Sequence, residues 1–290
     1  MSAADNTLRG IAFMIATTLI FGLQDAVTRY LAGKYGVLMI VMVRYWIFGL
    51  FVVWLAIRQS GSIRQAARTS FPRIQILRGL LLVIEICVMV WSFVLLGLVE
   101  THAVFICYPL IVAALSGPIL GENVGWRRWF AISIGFLGVL LILRPGFAVF
   151  DPLAIVPFLA ASLFAIYSLL TRFVSRKDDA ATSFFWTGTV GACAATLIGV
   201  SHWSPMGVGD WGWMAVLSGC ALLGHWFLIK AYEAAEASAV QPFAYLQLVW
   251  GTILGVSMFN EVVEIPVAAG AAIILAAGLF TFWRERRTKN

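Results

Sequence analysis

IQILRGLLLVIEICVMVWSFVLLG, residues 74–97, carries only two charges, Arg78 and Glu85, in 24 residues. Wound as an α-helix at 1.5 Å per residue, such a stretch reaches about 36 Å, enough to cross a hydrocarbon core of about 30 Å. It shows no two-residue alternation of the kind a barrel strand carries. In lipid every backbone N–H and C=O has to be satisfied, so an unbroken apolar run of this length is read as a spanning helix. Working outward, the same reading applies at 8–31, 37–57, 103–120, 129–143, 152–173, 182–200, 211–231, 237–259 and 265–283. The expectation is therefore an all-α membrane protein of about ten transmembrane helices.

Composition agrees with the run. Of 290 residues, 61% are hydrophobic and 12% charged, and the mean hydropathy is +0.93. Soluble domains carry about 25% charged residues. The first run is too long for a signal-peptide core and lacks a small-residue cleavage site, so it is expected to stay as a helix. Trp54, Trp126, Trp129, Trp211, Trp213 and Trp283 fall near the ends of the runs, as interfacial aromatic belts do. Cys87, Cys107, Cys193 and Cys220 lie inside runs without a CxxC or Cys/His pattern and read as buried packing residues rather than ligands.

Basic residues set an orientation. With the N-terminus inside, 16 of the 20 Lys and Arg residues fall on cytoplasmic segments, three (Arg29, Lys34, Arg144) fall outside, and Arg44 lies within a run. Cytoplasmic loops retain Lys and Arg, so both termini are expected in the cytoplasm of a multi-pass cell-membrane protein, on these grounds a bacterial inner-membrane one. The net charge of +6 is thus a topology signal. Spread over short loops and the tail, it offers no surface for nucleic acid.

The chain also resembles itself. Thr28-Arg29-Tyr30 closes the first run and Thr171-Arg172-Phe173 closes the sixth, 143 residues on; Glu122 and Glu261 follow the fourth and ninth runs, 139 residues apart. A boundary at Arg144-Pro145-Gly146 divides residues 1–146 from 147–290, five runs each. An odd number of spans makes the second half enter the membrane from the opposite side, giving two inverted repeats with a substrate site between them near the midplane.

Ala103-Val104, Pro109 and Gly121-Glu122, with Phe21-Gly22, Arg44 and Phe164-Ala165 in order, resemble the EamA-like branch of the drug/metabolite transporter superfamily over essentially the whole chain. In overall character the chain is similar to that superfamily's aromatic amino-acid exporters, the YddG-type subgroup. Two positions depart from the pattern: Leu248 stands where the family often has proline, and Asn260 replaces its usual glycine. The resemblance implies a secondary transporter, not an enzyme, that exports small metabolites such as amino acids by alternating access. It requires no cofactor.

Polar groups within the runs are the candidates for the transport site, because each is costly in hydrocarbon unless it faces a cavity or a partner. Gln24, Asp25 and Thr28 share one side of the first helix, and the repeat offset carries them onto Tyr167, Ser168 and Thr171. Glu85 lies near the middle of the third run, where loss of water would let it carry a proton. Asp25 and Arg44 stand at similar depth and are expected to form a structural ion pair. His225 is a titratable group in the eighth run, and Gln241 and Tyr245 share a face of the ninth. Trp91, Tyr108, Tyr167 and Tyr245 are candidates to stack on a planar substrate. The candidate set is therefore Gln24, Thr28, Glu85, Trp91, Tyr108, Tyr167, Ser168, His225, Gln241 and Tyr245. Its partners are a small-molecule substrate and the lipid bilayer, with a coupling proton, another ion or the solute's own gradient open as the driving force. Each candidate also has a packing reading: hydrogen-bonded glue, a satisfied histidine, or a lipid-facing ring.

Gly117-xxx-Gly121 and Gly251-xxx-Gly255 permit close backbone approach, either in a dimer or within one chain. Ten helices already supply internal partners, so a monomer is favoured. Rival classes fare worse. HExxH, GxSxG and a Walker A loop are absent, which argues against an enzyme and against ATP-driven transport by this chain itself. A channel would favour a ring-lined pore over mixed polar and aromatic residues. A drug or nucleoside transporter of the same fold remains the nearest alternative. A single cysteine introduced at residues 203–210 should react with an impermeant maleimide on intact cells. Reaction only after the cytoplasmic face is opened would reverse the orientation.

Overall fold

The computed structural model describes residues 3–121, 126–143 and 152–289, which are helical with no strand among them. The expected repeat boundary at Arg144-Pro145-Gly146, and Glu122, lie outside the described residues. In chain order the helices are α1 (Ala3–Tyr35), α2 (Val37–Ser60), the single turn α3 (Ile63–Ala66), α4 (Pro72–Phe105), α5 (Tyr108–Leu120), α6 (Trp126–Leu143), α7 (Ile155–Val174), α8 (Ala180–Gly199), α9 (Val208–Ala234), α10 (Ala237–Ala244), α11 (Leu246–Phe259) and α12 (Ile265–Lys289). Seven segments among the described residues are long and apolar enough to cross a membrane: 6–35, 37–59, 72–105, 155–174, 180–202, 208–234 and 239–259. The chain is thus a multi-pass membrane protein.

Two of the expected runs are broken, for different reasons. Gly97 in α4 has φ 84° and ψ 179°, a conformation essentially reserved for glycine. The chain doubles back there. Ser92 and Thr101 hydroxyls lie 2.9 Å apart, and the Phe93 and His102 rings stack at 5.4 Å. In a straight helix residues nine apart would be separated by about 13.5 Å. The run expected at 103–120 therefore starts at Leu98, pauses at Ile106 and Cys107, and resumes as α5, where Pro109 in the first turn supplies no N–H to the preceding turn. The run expected at 237–259 breaks at Tyr245, between α10 and α11. Asn260 ends α11 with φ 53°, the left-handed cap that Asn, after glycine, adopts most readily.

The principal helix contacts are α1 with α9, α4 with α7, α2 with α8, and α6 with α12. Around them the surface is apolar: Leu19, Leu50, Leu80, Ile84, Trp91, Leu137, Leu159 and Leu197 are all exposed. A water-soluble monomer rarely exposes apolar patches on this scale. Trp54, Trp126, Trp129, Trp211 and Trp213 are exposed near helix ends. Of the cysteines, all free, Cys107 is buried as expected but Cys193 faces outward. The glycine pairs separate as well. Gly121 caps α5 with φ 69°, whereas Gly251 lies against the His102 ring and Gly255 against Val99 and Glu261.

Polar knots close both ends of the bundle. At one end, Glu261 takes the guanidinium of Arg29 and the backbone N–H groups of Leu98 (2.9 Å) and Val99 (2.7 Å). Near it Asp210 accepts from Tyr35 (2.7 Å) and Tyr30 (3.1 Å). At the other end, Asp178 accepts from Thr69, from the Ser70 N–H and from Gln75. Arg78, fully buried, donates to Thr171 at 2.9 Å and to Gln75. A cavity lies between the two knots. Gly97→Ala should cost about 1–3 kcal/mol of backbone strain and drive its Cβ into the Glu261 carboxylate. A lower thermal unfolding midpoint in detergent, measured by tryptophan fluorescence, checks this.

Candidate substrate cavity

Four-residue spacing on the first limb of α4 puts Glu85, Met89 and Phe93 on one face, and that face forms one wall of the cavity. α1 adds Phe21, Gln24, Asp25 and Thr28. Arg44 comes from α2, Phe105 from the returning limb of α4, Phe164 from α7, His225 from α9 and Gln247 from α11. The cavity is narrow, with an accessible volume of about 40 Å³. Its walls carry charges of both signs: Asp25 and Glu85 are acidic, Arg44 is basic, and each is less than a tenth exposed.

Six of the expected polar residues thus share one cavity: Gln24, Asp25, Thr28, Arg44, Glu85 and His225. Thr28 is committed locally, since its hydroxyl donates to the Gln24 carbonyl at 2.7 Å. Thr171, its counterpart by the repeat offset, makes the same bond to the Tyr167 carbonyl at 2.7 Å. Tyr108, Tyr167, Ser168, Gln241 and Tyr245 are buried but lie behind the wall. Tyr108 packs edge-on against Phe164, Tyr167 sits beneath the Arg78 guanidinium, and Gln241 donates to the Tyr232 hydroxyl at 2.8 Å.

Two expectations are corrected. Trp91 is 60% exposed on the outside of α4; at 100° per residue it stands two positions from both Met89 and Phe93 and so points away from their face. Asp25 does not pair with Arg44. Its Oδ2 lies 3.1 Å from His102 Nε2 and accepts from Gln247 Nε2 at 3.2 Å. Arg44 leaves Nη2 without a hydrogen-bond partner. The doubling-back at Gly97 is the cause, because it swings His102 into the place expected for Arg44.

His102 was missed because it falls at the junction of two apolar runs, where a loop was expected. The aromatic wall of Phe21, Phe93, Phe105 and Phe164 was missed too. Its signal was present in the four-residue steps from Glu85 through Met89 to Phe93. Three groups of the wall hold polar atoms with nothing to bond: Gln24 Oε1, Arg44 Nη2 and both ring nitrogens of His225. His225 instead meets Phe21 edge-on at 5.1 Å and stacks near Phe48 at 6.0 Å. Buried polar groups are almost always satisfied. Three unsatisfied ones facing a common space describe a site built for something polar.

Residues 8–144 match the EamA-like transporter family. This chain is an EamA-like membrane transporter. The S-adenosylmethionine uptake transporter of Rickettsia prowazekii is 25% identical over 283 residues, covering 98% of this chain and 95% of that protein. The riboflavin transporter of Vibrio cholerae is 29% identical over 296 residues, covering 100% and 98%. A pseudopaline exporter of Pseudomonas aeruginosa is 23% identical, covering 92% and 94%. A solved crystal structure superposes with a TM-score of 0.68 at 16% identity, over 100% of this chain and 99% of the other, and shares the fold. The protein is a transporter and not an enzyme.

In this EamA-like transporter His225 bears the cost of burial without a partner, about 1–3 kcal/mol for an unmade hydrogen bond. His225→Leu should therefore leave the thermal midpoint unchanged or higher while substrate flux falls. A lower midpoint would identify His225 as a structural residue.

Proposed function

We propose that this transporter carries small metabolites bearing an amino-acid head group, a carboxylate together with an ammonium, across the bacterial inner membrane. The observation that carries the reading is the unpartnered Nη2 of buried Arg44 in the same cavity as Glu85 and Asp25. A zwitterion in a dry site needs one partner of each sign. Arg44 suits its carboxylate, Glu85 and the Gln24 Oε1 suit its ammonium, and the Phe21, Phe93, Phe105 and Phe164 rings suit an apolar or planar remainder. S-adenosylmethionine, the cargo named for the Rickettsia relatives, is such a molecule, and free amino acids are its simplest form. Riboflavin has no amino-acid head and carries no charge for Arg44 or Glu85 to neutralise.

The route is alternating access between two inverted five-helix halves, residues 1–146 and 147–290, with both termini cytoplasmic. Reciprocal packing supports this. If the repeat offset exchanges the halves, α1 against α9 maps onto α7 against α4, α1 against α11 maps onto α7 against α5, and α2–α8 and α6–α12 map onto themselves; all of these are contacts of the fold. The matched Thr28 and Thr171 bonds add to it. In the closed, narrow state both end knots are made. Rocking one half against the other would open them in turn, and the net direction follows the gradients of cargo and coupling ion.

Exchange of radiolabelled cargo across proteoliposomes tests the substrate class. S-adenosylmethionine or a large neutral amino acid should exchange, and riboflavin should not. A charge-assisted hydrogen bond is worth about 1.5–3 kcal/mol, so Arg44→Leu should reduce exchange by about 10- to 150-fold. Exchange of riboflavin alone would overturn the reading.

A further inference from the structure

The cavity wall contains a second device, and the connectivity of one peptide unit reveals it. His102 Nδ1 lies 2.8 Å from the Leu98 carbonyl oxygen. A carbonyl only accepts, so Nδ1 carries a hydrogen. With that nitrogen committed, the 3.1 Å contact between Nε2 and Asp25 Oδ2 needs one more proton, held either on the imidazole or on the carboxyl. Without it, a lone pair on Nε2 would face a carboxylate oxygen, and the contact would become repulsive. The α1–α4 contact at this point therefore exists in this geometry only when a proton is bound.

We propose that Asp25 and His102 form a proton-binding site that couples proton movement to opening of the Arg29 end of the cavity. The Leu98 unit is the mechanical link. The Leu98 carbonyl accepts from His102, while the N–H of the same peptide plane, that of Val99, donates to Glu261 at 2.7 Å, and Glu261 in turn holds Arg29. One residue beyond the turn at Gly97 thus joins the proton site to the knot that closes that end. The space for the ring is built in: Gly251 of α11 lies directly against it, and Phe93 stacks on its other side at 5.4 Å.

The charges and titratable groups facing the pair come from every helix around it. Glu85 on the first limb of α4, Arg44 of α2 and His225 of α9 line the same cavity as Asp25, and the neutral Gln247 of α11 donates to its Oδ2. Glu85 disfavours a second negative charge on Asp25, while Arg44 favours it. An ammonium docking at Glu85 makes proton loss from the pair easier and a carboxylate at Arg44 makes it harder. The additional sulfonium charge of S-adenosylmethionine tips the balance toward proton loss, which links that cargo to the proton with opposite sense. One proton leaves the pair as cargo enters, and one returns when cargo departs. The Asp25–His102 contact breaks in the first event, freeing α1 from the α4 turn, and re-forms in the second.

This inference uses the transport reading, so one measurement is independent of any cargo. The chain has three histidines, and single substitutions assign each one in a spectrum of ¹⁵N-histidine-labelled protein in lipid nanodiscs. His102 should show a hydrogen-bonded proton at Nε2 or shared with Asp25, lost on raising the pH and displaced by Asp25→Asn. A neutral Nδ1–H ring unaffected by both pH and Asp25→Asn would overturn the proposal. The second arm uses proteoliposomes and radiolabelled S-adenosylmethionine, comparing accumulation driven by a pH gradient with gradient-free exchange. In His102→Gln, gradient-driven accumulation should fall about tenfold or more, the scale of a typical coupling energy, while exchange stays within about threefold. Gradient-driven accumulation equal to the parent's in that variant would overturn the coupling role. If the parent exchanges no S-adenosylmethionine, the substrate reading fails and the spectrum alone decides the proton site.

Discussion

A carboxylate bound to two backbone N–H groups holds this architecture together. After Gly97 a new helical limb begins, and its first N–H groups have no partner within the helix. In a membrane-spanning bundle water cannot be relied on to supply one, and an unsatisfied backbone group is expensive there. Glu261, 162 residues further along from Val99, supplies both acceptors, one oxygen each for Leu98 and Val99. Its negative charge also suits the positive end of the limb's dipole. The bond depends on Gly97 adopting its glycine-only conformation and on Asn260 turning left-handed so that Glu261 points back. Arg29 then neutralises the carboxylate from α1 and lies 4.1 Å over the Phe259 ring. Three separate parts of the chain meet at one carboxyl group.

The cavity's chemistry follows from that geometry. Because the limb returns alongside its predecessor, His102 lies beside Phe93 and reaches Asp25, and Asp25 is drawn away from Arg44. The guanidinium is left with a free Nη2. A buried cation with a spare donor is costly in a protein whose only task is to fold. It is reasonable in one that must bind an anionic group and let it go. The same logic covers Arg78 at the opposite end, whose donors meet Thr171, Gln75 and Thr187. That guanidinium is satisfied and fully buried, and it serves as a tie between α4, α7 and α8, whereas Arg44 faces space.

Much of the fold was legible because lipid imposes a coarse code. Runs such as 74–97 and 152–173 announce spanning helices by length and apolarity alone, and the buried Gln24, Asp25, Glu85 and His225 stood out as polar residues in apolar company. What the code does not carry is rotation and close geometry. Trp91 and Phe93 are equally apolar in sequence, and only the 200° between them on the helix decides that one faces outward and the other the cavity. Asp25 and Arg44 share a depth, but depth is one coordinate of three. His102 escaped notice for a sharper reason: its significance depends on a chain reversal five residues earlier, and runs that end at 97 and resume at 103 do not show how tightly the chain turns between them. Glu261 was visible as half of a repeat without any hint that it caps a helix on the far side of the molecule.

Gly97 and Glu261 also bear on how such a bundle can move. Helices packed through apolar side chains in lipid slide with little change in solvation, because the tails outside are as apolar as the neighbours inside. A state is then distinguished mainly by its polar contacts, which are few and short-ranged. The Arg29 end has one cluster around Glu261 and another around Asp210; the far end has Asp178 with Gln75, and Arg78 with Thr171. Breaking one cluster while keeping the other is a discrete event rather than a gradual one, which is what a carrier needs to avoid opening at both ends. The weak point at the Arg29 end is the Leu98–Val99 peptide, whose Val99 N–H bonds the closing carboxylate and whose Leu98 carbonyl accepts from His102. Whatever rotates that peptide loosens both contacts together, so closure of the end and the state of the cavity wall are tied to the same bond rotation.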